Sequence, residues 1–240
     1  MSNSTSNAPM MPAGSSSFFE IWVNALTKPR EETFSAMASS PKARATTAYL
    51  WVFFGTVVQF VLSALVQSGK LRTMLEQWGY GGNLPAGGLG FTLISAICLG
   101  PILAVFVVVM FAIVTALIQW VARMFGGRGT FDQLAYTFGA IQAPFAILAG
   151  LVMLLGAIPF VGICFRLALG LAGIYVFVLQ IIATKAVNQF GAGQAFASVV
   201  IPGLAISFVC CCAAAAGLTL VGASIGNIWS TINYSLQGLQ

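Results

Sequence analysis

The sequence predicts an all-α, polytopic membrane protein with five transmembrane helices and interfacial amphipathic helices at its N-terminus. Only 6% of the 240 residues are charged and 59% are hydrophobic, whereas an ordinary soluble domain carries about 25% charged residues. Five continuous apolar runs have the roughly 20 residues that a helix needs to cross a bilayer. These runs lack the alternation of polar and apolar residues that is typical of a transmembrane β-barrel.

The chain divides into two tails, an N-terminal helical region and a membrane domain. We expect residues 1–17 to form a disordered tail, because they are uncharged and have no apolar centre. We expect cytoplasmic interfacial helices over 18–45, a membrane domain over 46–225 and a non-cytoplasmic tail over 226–240. The predicted spans are at about 46–68, 91–123, 133–156, 163–187 and 194–225.

The N-terminal region has the pattern of two short amphipathic helices. Phe18 and Trp22 recur at helical spacing on one apolar face, so we expect them to dip into the head-group boundary. Ser17 and Glu20 have the spacing of a capping box at the start of the first helix. Pro29 is expected near the first position of the second helix, where a missing N–H is tolerated.

Positive charge is distributed unevenly between the two ends of the predicted spans. With the N-terminus in the cytoplasm, seven of the ten Lys and Arg residues fall on the cytoplasmic side, as in most membrane proteins. Five spans then place the C-terminus outside. The basic residues before the first span have a second interpretation, which is contact with anionic lipid head groups. No basic stripe with interleaved aromatic residues exists, so nucleic acid is not an expected partner.

The segment 126–133, here called the hinge, joins the second and third spans. Gly126 and Gly127 can adopt the left-handed backbone conformation that ends a helix. Thr130 is expected to cap the next helix, and Gln133, three residues later, completes a capping box. The hinge therefore carries a helix stop signal followed by a helix start signal.

The hinge also holds Asp132, the only acidic residue after Glu76. In the first turn of the following helix, a negative charge is favoured by the helix dipole. A second interpretation is that Asp132 forms an ion pair with Arg123 or Arg128. An intramembrane aspartyl protease would need two acids, so we expect a structural role, and we expect Asp132→Asn to weaken folding or insertion.

Prolines interrupt or separate several spans. Pro101 is expected to kink the second span, and Pro202 to break the fifth, because proline lacks the backbone N–H of a helix. Pro144 lies inside the third span. Pro159 lies in a six-residue turn between the third and fourth spans, which are therefore expected to form an antiparallel hairpin.

The amide side chains within the spans have two interpretations. They line a polar path or, more commonly, form hydrogen bonds between helices. Small residues at four-residue spacing in the third and fifth spans favour close helix packing. Arg166 lies one turn into the fourth span and is expected to snorkel to the outer surface, whereas Lys185 is expected to anchor the other end of that span. The membrane-depth amides are Gln59, Gln119, Gln142 and Gln180.

No signature of catalysis, a cofactor or a metal site is present. The sequence contains no His, which excludes histidine-based metal sites and proton relays. The five cysteines fall in apolar runs, where they are expected to act as small packing residues. No serine has a nucleophile motif that would partner Lys185. We therefore expect a protein that is not an enzyme.

Four stretches, in order, resemble the Yip (Ypt-interacting-protein) domain family of five-span membrane proteins, and in particular its shorter prokaryotic members. They are residues 26–34, which contain Pro29; the hinge together with the following span to Pro144; residues 158–162, which contain Pro159; and residues 183–197, which contain Lys185. The resemblance implies the fold and topology. Eukaryotic members bind prenylated Rab-type GTPases in vesicle traffic, but this chain lacks their longer acidic and aromatic N-terminal motif. The resemblance therefore does not lead us to expect GTPase binding by this chain.

Two functions are compatible with the sequence. The first is a non-enzymatic protein that organises the bilayer or membrane traffic, or that serves as an accessory subunit of a larger membrane complex. Its partners would be the lipid bilayer and other membrane-protein subunits or copies of itself. The alternative is a transporter or channel component that uses the Pro-broken second and fifth spans. We expect the cell membrane as its location, or the Golgi and endoplasmic reticulum in a eukaryote.

Overall fold

The computed structural model describes residues 17–77, 88–156 and 161–237, which fold into seven α-helices and no strands. Residues 1–16 of the expected 1–17 tail lie outside the described residues. So do Pro159 and most of the loop between the first two spans. The helices are α1 (Phe18–Thr27), α2 (Glu31–Ala38), α3 (Ala45–Gln77), α4 (Gly88–Met124), α5 (Phe131–Leu155), α6 (Val161–Asn188) and α7 (Ala192–Gln237).

Five of these helices, α3 to α7, are long and apolar enough to cross a membrane, which confirms the predicted fold class. The stretches that meet this condition are Ala45–Val66, Ala96–Met124, Phe131–Leu155, Gly162–Asn188 and Ala192–Gly217. Helix α7 continues as a helix to Gln237, beyond the expected end of the fifth span at residue 225.

Helix α5 lies at the centre of the bundle. It contacts α1, α2, α3, α4 and α6, whereas α7 packs on α4 and α6 at the periphery. Half of the most apolar part of α5 is buried, against 11% for α4 and for α7. The burial is continuous over 134–141, so this end of α5 forms the core on which the other helices assemble.

Close contact between α3 and α5 depends on glycine and alanine. A Cβ atom added to Gly139 would lie 2.7 Å from Cβ of Ala48, and one added to Gly55 would lie 2.7 Å from the carbonyl oxygen of Ala143. Larger side chains at these positions would push the helices apart. The predicted small-residue packing of the third span is confirmed. In α7, by contrast, nothing lies within 4 Å of a Cβ at Gly217, so Gly217 makes no close helix contact within the described part of the chain.

The helices continue through their prolines. Pro101, Pro144 and Pro202 lie inside α4, α5 and α7, and each helix is continuous on both sides of its proline. Proline removes one backbone donor, and packing against neighbouring helices can compensate for that loss. The predicted break of the fifth span at Pro202 is therefore wrong.

The two N-terminal helices dock on the bundle. Trp22 of α1 packs edge-on against Trp51 of α3, with ring centroids 6.0 Å apart, and its indole nitrogen is buried. Trp22 therefore faces the bundle, which corrects the expectation that it dips into the head groups. The exposed aromatic residues of α1 are Phe18 and Phe19, at 58% and 64% exposure.

The starts of these two helices also differ from the predictions. Ser17 is the N-cap of α1, but its side chain makes no capping hydrogen bond, so the predicted capping box with Glu20 is wrong. Helix α2 begins at Glu31 with Arg30 as its N-cap. Pro29 therefore precedes the cap and lies two positions before the first helical residue.

Candidate interaction site at the hinge face

One end of the bundle gathers most of the residues that the sequence singled out. We call this end the hinge face. It consists of α1, α2, the hinge, the starts of α3, α5 and α7, and the ends of α4 and α6. The candidates that lie there are Trp22, Pro29, Gly126, Gly127, Thr130, Asp132 and Lys185.

The hinge starts with a helix-ending motif at Gly126. This glycine has φ +87°, which a side chain would strain. The Gly127 N–H donates to Ala122 O at 2.9 Å, and the Gly126 N–H donates to Arg123 O at 3.0 Å. These are the two bonds of a Schellman motif. The predicted left-handed glycine at the end of the second span is confirmed.

The hinge ends with the capping box at Thr130. The Gln133 N–H donates to Thr130 Oγ1 at 3.3 Å, and the Thr130 N–H donates to Gln133 Oε1 at 3.0 Å. Both halves of the predicted box are present. Two of the backbone donors that the first turn of a helix leaves unpaired are satisfied in this way.

Asp132 connects two helix starts. It lies in the first turn of α5, as predicted, and its Oδ1 accepts a hydrogen bond of 2.9 Å from the N–H of Ala45, the first residue of α3. Neither Arg123 nor Arg128 forms an ion pair with it within the described part of the chain. The carboxylate thus caps a second helix, and two helix dipoles favour its negative charge.

A buried amide pair joins α4, the hinge and α6. The Gln119 Nε2 group donates to Gly129 O at 2.7 Å and to Asn188 Oδ1 at 2.9 Å. Asn188 Nδ2 donates back to Gln119 Oε1 at 3.3 Å and to Thr184 O at 3.1 Å. Both side chains are buried. The sequence indicated Gln119 as an interhelical donor, but it placed Asn188 between the predicted fourth and fifth spans.

The hinge glycines allow the backbone to approach this amide pair. A Cβ at Gly127 would lie 2.6 Å from Asn188 Oδ1, and one at Gly129 would lie 2.6 Å from Val187 Cγ1. The Arg128 N–H also donates to Asn188 O at 3.2 Å. Because side chains at these positions would collide with α6, the glycines hold the hinge against the end of that helix.

Helices α1 and α2 are held on the hinge face by polar contacts with α6. Lys185 forms an ion pair with Glu31 of α2, and the Tyr175 hydroxyl donates to Leu26 O at the end of α1 at 2.7 Å. Lys185 was expected to anchor the span in the membrane interface. In the structure it couples α6 to α2.

Two of the remaining candidates lie away from the hinge face, and one is not described. Pro144 is buried in the middle of α5. Arg166 is exposed near the start of α6, at the opposite end of the bundle. Pro159 falls outside the described residues. The structure therefore does not bring these residues together with the others.

Two clefts open at the hinge face. The larger, about 460 Å³, is lined by residues of α1, the α2–α3 connection, α3 and α5. The smaller, about 210 Å³, is lined by Gln119, Trp120, Arg123 and their neighbours. Neither is lined by Gln142 or Gln180. Within the described residues, no group of three His, Cys, Asp or Glu side chains is positioned to hold a metal ion.

The comparison with protein families identifies the chain. A family model described as the Yip1 domain matches residues 23–215. The chain belongs to the Yip1 domain family. No curated protein and no solved structure matches it. The match thus begins within α1, directly after Trp22, and ends two residues before the end of the fifth candidate span, so it covers most of the hinge face, the first four candidate spans and nearly all of the fifth. Members of this family are in general non-enzymatic membrane proteins.

Proposed function

We propose that this Yip1 domain protein is a non-enzymatic accessory protein that organises the membrane or supports a larger membrane complex. The observation that carries the proposal is the buried amide pair. Gln119 and Asn188 use their polar groups on each other, on Gly129 and on Thr184. Groups occupied in this way hold helices together and are not presented to a solute.

The outer surface of the bundle supports the same proposal. Helices α6 and α7 expose large apolar side chains along their spans, including Leu171, Ile174 and Phe208. Such faces contact lipid or the helices of another subunit, and membrane helices associate through packing of this kind. The bilayer and further membrane subunits, or a second copy of the chain, are thus the proposed partners.

We further propose that the hinge face is cytoplasmic, in the cell membrane or, in a eukaryote, in Golgi and endoplasmic reticulum membranes. Seven of the ten Lys and Arg residues belong to elements of this face, and the positive-inside rule favours their retention in the cytoplasm. The C-terminus is then on the opposite side. A thiol reagent that does not cross membranes tests this arrangement, with single cysteines at Arg128 and at Arg166 in a cysteine-free background. Labelling of the Arg128 site from outside intact cells would contradict it.

Solvent access at mid-membrane separates this proposal from a transporter. In the same cysteine-free background, Gln142→Cys and Gln180→Cys are reacted with a water-soluble thiol reagent in reconstituted vesicles. An accessory bundle, whose interior is dry, is expected to react far more slowly at these positions than at Arg128→Cys. Rapid labelling of both positions, together with solute flux, would establish the transporter function instead.

Assembly is measured on the same preparations. The protein is extracted in a mild detergent, and the mass of its assemblies is measured before and after dilution. A variant in which Leu171 and Ile174 are replaced by Ala is measured in the same way. Larger assemblies that this variant loses while it remains folded would support the proposal. A wild-type protein that is purely monomeric in its native membrane, with a hydrated interior, would refute it.

A further inference from the structure

The larger cleft of the hinge face combines two kinds of chemistry. Its volume of about 460 Å³ lies in the range of about 300–1,000 Å³ that is typical of small-molecule sites. Apolar and aromatic side chains, among them Ile21 and Trp51, form part of its lining, and the cations Lys42 and Arg44 form another part. A ligand that satisfies both parts must be amphiphilic and carry negative charge.

The two cations lack an acidic partner. Lys42 and Arg44 are exposed, and neither forms an ion pair within the described part of the chain. No Asp or Glu lines the cleft. The neighbouring carboxylate, Asp132, accepts the Ala45 N–H instead. Two adjacent positive charges without a counter-charge attract an anion, and Arg and Lys are the side chains that bind phosphate.

A tyrosine hydroxyl also reaches this cleft. Tyr136 lines it while only 2% of the residue is exposed. Its hydroxyl forms no hydrogen bond within the described residues. The hydroxyl is free to donate into the cleft, and an oxygen atom of a ligand would supply its partner. The ring is held in place by Trp51, whose centroid lies 5.0 Å away.

The cleft lies at the start of the first candidate membrane span. The apolar span of α3 begins at Ala45, directly after Arg44, so a bilayer around this span would bring its head groups to the two cations. Phe18, which also lines the cleft, is 58% exposed and faces out from α1. An aromatic side chain at this level can contact the beginning of a lipid's acyl chains.

We propose that this cleft binds the head group of an anionic phospholipid. Lys42 and Arg44 contact the phosphate, the Tyr136 hydroxyl donates to a head-group or ester oxygen, and the acyl chains leave along Phe18 and Ile21. A free phosphate would neutralise the cations but would leave the apolar lining without a partner. This proposal is independent of the proposed function, because it concerns retained lipid and not the subunit composition of a complex.

Native mass spectrometry of the full chain tests the proposal. The purified protein is incubated with equal amounts of phosphatidylglycerol and phosphatidylcholine that have identical acyl chains. We expect one phosphatidylglycerol to be retained with a preference of at least about tenfold, because each basic residue at a membrane surface adds measurably to the binding of anionic lipid. The K42Q/R44Q variant is expected to lose this preference.

The matched control removes the same charge elsewhere. Lys28 and Arg30 are also exposed and lie in the α1–α2 connection, but they do not line the cleft. The K28Q/R30Q variant should therefore retain the preference. An equal loss in both double variants would show a general surface charge effect and would overturn the proposal. So would a wild-type protein with no preference.

Two further measurements complete the test. The Y136F variant keeps the ring and removes the hydroxyl, so we expect a loss of roughly threefold to tenfold in phosphatidylglycerol affinity, as for one hydrogen bond. It also replaces K42Q/R44Q if that double variant does not fold. Glycerol 3-phosphate at millimolar concentration should not displace the lipid. Complete displacement would identify a site for free anions and refute the assignment to a lipid.

Discussion

The buried amide pair gives a quantitative prediction for the stability of the bundle. Asn188→Leu and Gln119→Met each preserve the shape of a side chain and remove its polar groups. Asn188→Leu deletes both of its hydrogen bonds with Gln119, at 2.9 and 3.3 Å, and one with Thr184 O, at 3.1 Å. Hydrogen bonds between membrane helices contribute about 0.6 kcal/mol on average. A buried amide left without partners costs about 1–3 kcal/mol more.

We therefore expect each single variant to lower the free energy of unfolding by about 2–3 kcal/mol. The double variant should lose less stability than the sum of the two single variants, because it leaves no buried amide without its partner. The coupling energy is expected to be about 1–2 kcal/mol, which is in the range found for residues of one hydrogen-bonded network. Gly129 O loses its donor in both Gln119→Met and the double variant, so the double variant should not regain full stability.

Reversible unfolding in mixed detergent micelles, followed by circular dichroism, measures these differences. Gln189→Met is the matched control. It makes the same chemical change as Gln119→Met at an exposed position whose side chain forms no hydrogen bond within the described residues. A surface change of this kind is expected to stay within about 0.5 kcal/mol. Additive effects of the two buried variants, within about 0.3 kcal/mol, would refute the view that the two amides act as one unit.

Three further variants test other contacts of the hinge face. Asp132→Ala should lower stability by about 1 kcal/mol, as the loss of a helix cap does. Asp132→Asn, which the sequence alone led us to expect to weaken folding, should retain most of the stability, because its amide oxygen can still accept the Ala45 N–H; equal effects of the two variants would show that charge outweighs the hydrogen bond. Gly129→Ala should cost about 1–3 kcal/mol through steric overlap, while Gly193→Ala, with nothing within 4 Å of the added Cβ, should be neutral or stabilising. Lys185→Met should speed proteolysis between α1 and α2 and change global stability by less than about 1 kcal/mol, because the ion pair with Glu31 is partly exposed; unchanged proteolysis would exclude a docking role.

Local features of the fold were predictable from the sequence. The five spans follow from the length of the apolar runs. The end of α4 and the start of α5 follow from glycine and capping residues whose partners lie within five positions along the chain. In both cases the information that fixes the structure lies within one short window of sequence.

Features that depend on distant partners were not predictable. For Asp132 the sequence left open an ion pair with a nearby Arg, but its partner is the backbone of Ala45, 87 positions away. Asn188 resembles a turn residue until α4 brings Gln119 beside it, 69 positions away. Trp22 follows the pattern of an interfacial residue, and only the position of Trp51 shows that it is packed inward. Helical periodicity identifies an apolar face but does not say whether lipid or protein covers it.

The glycine contacts between α3 and α5 set an order of events during synthesis. Gly55 and Ala143 meet backbone to backbone, but they are separated by about 90 residues, which a ribosome adds in about 5–20 s at its usual rate. During that interval α3 has entered the membrane while its principal partner has not yet been made. The narrow groove at Gly55 must be covered meanwhile by lipid, by α4 or by the insertion machinery. A nascent chain arrested before α5 should accordingly be the form of this protein that depends most on such assistance.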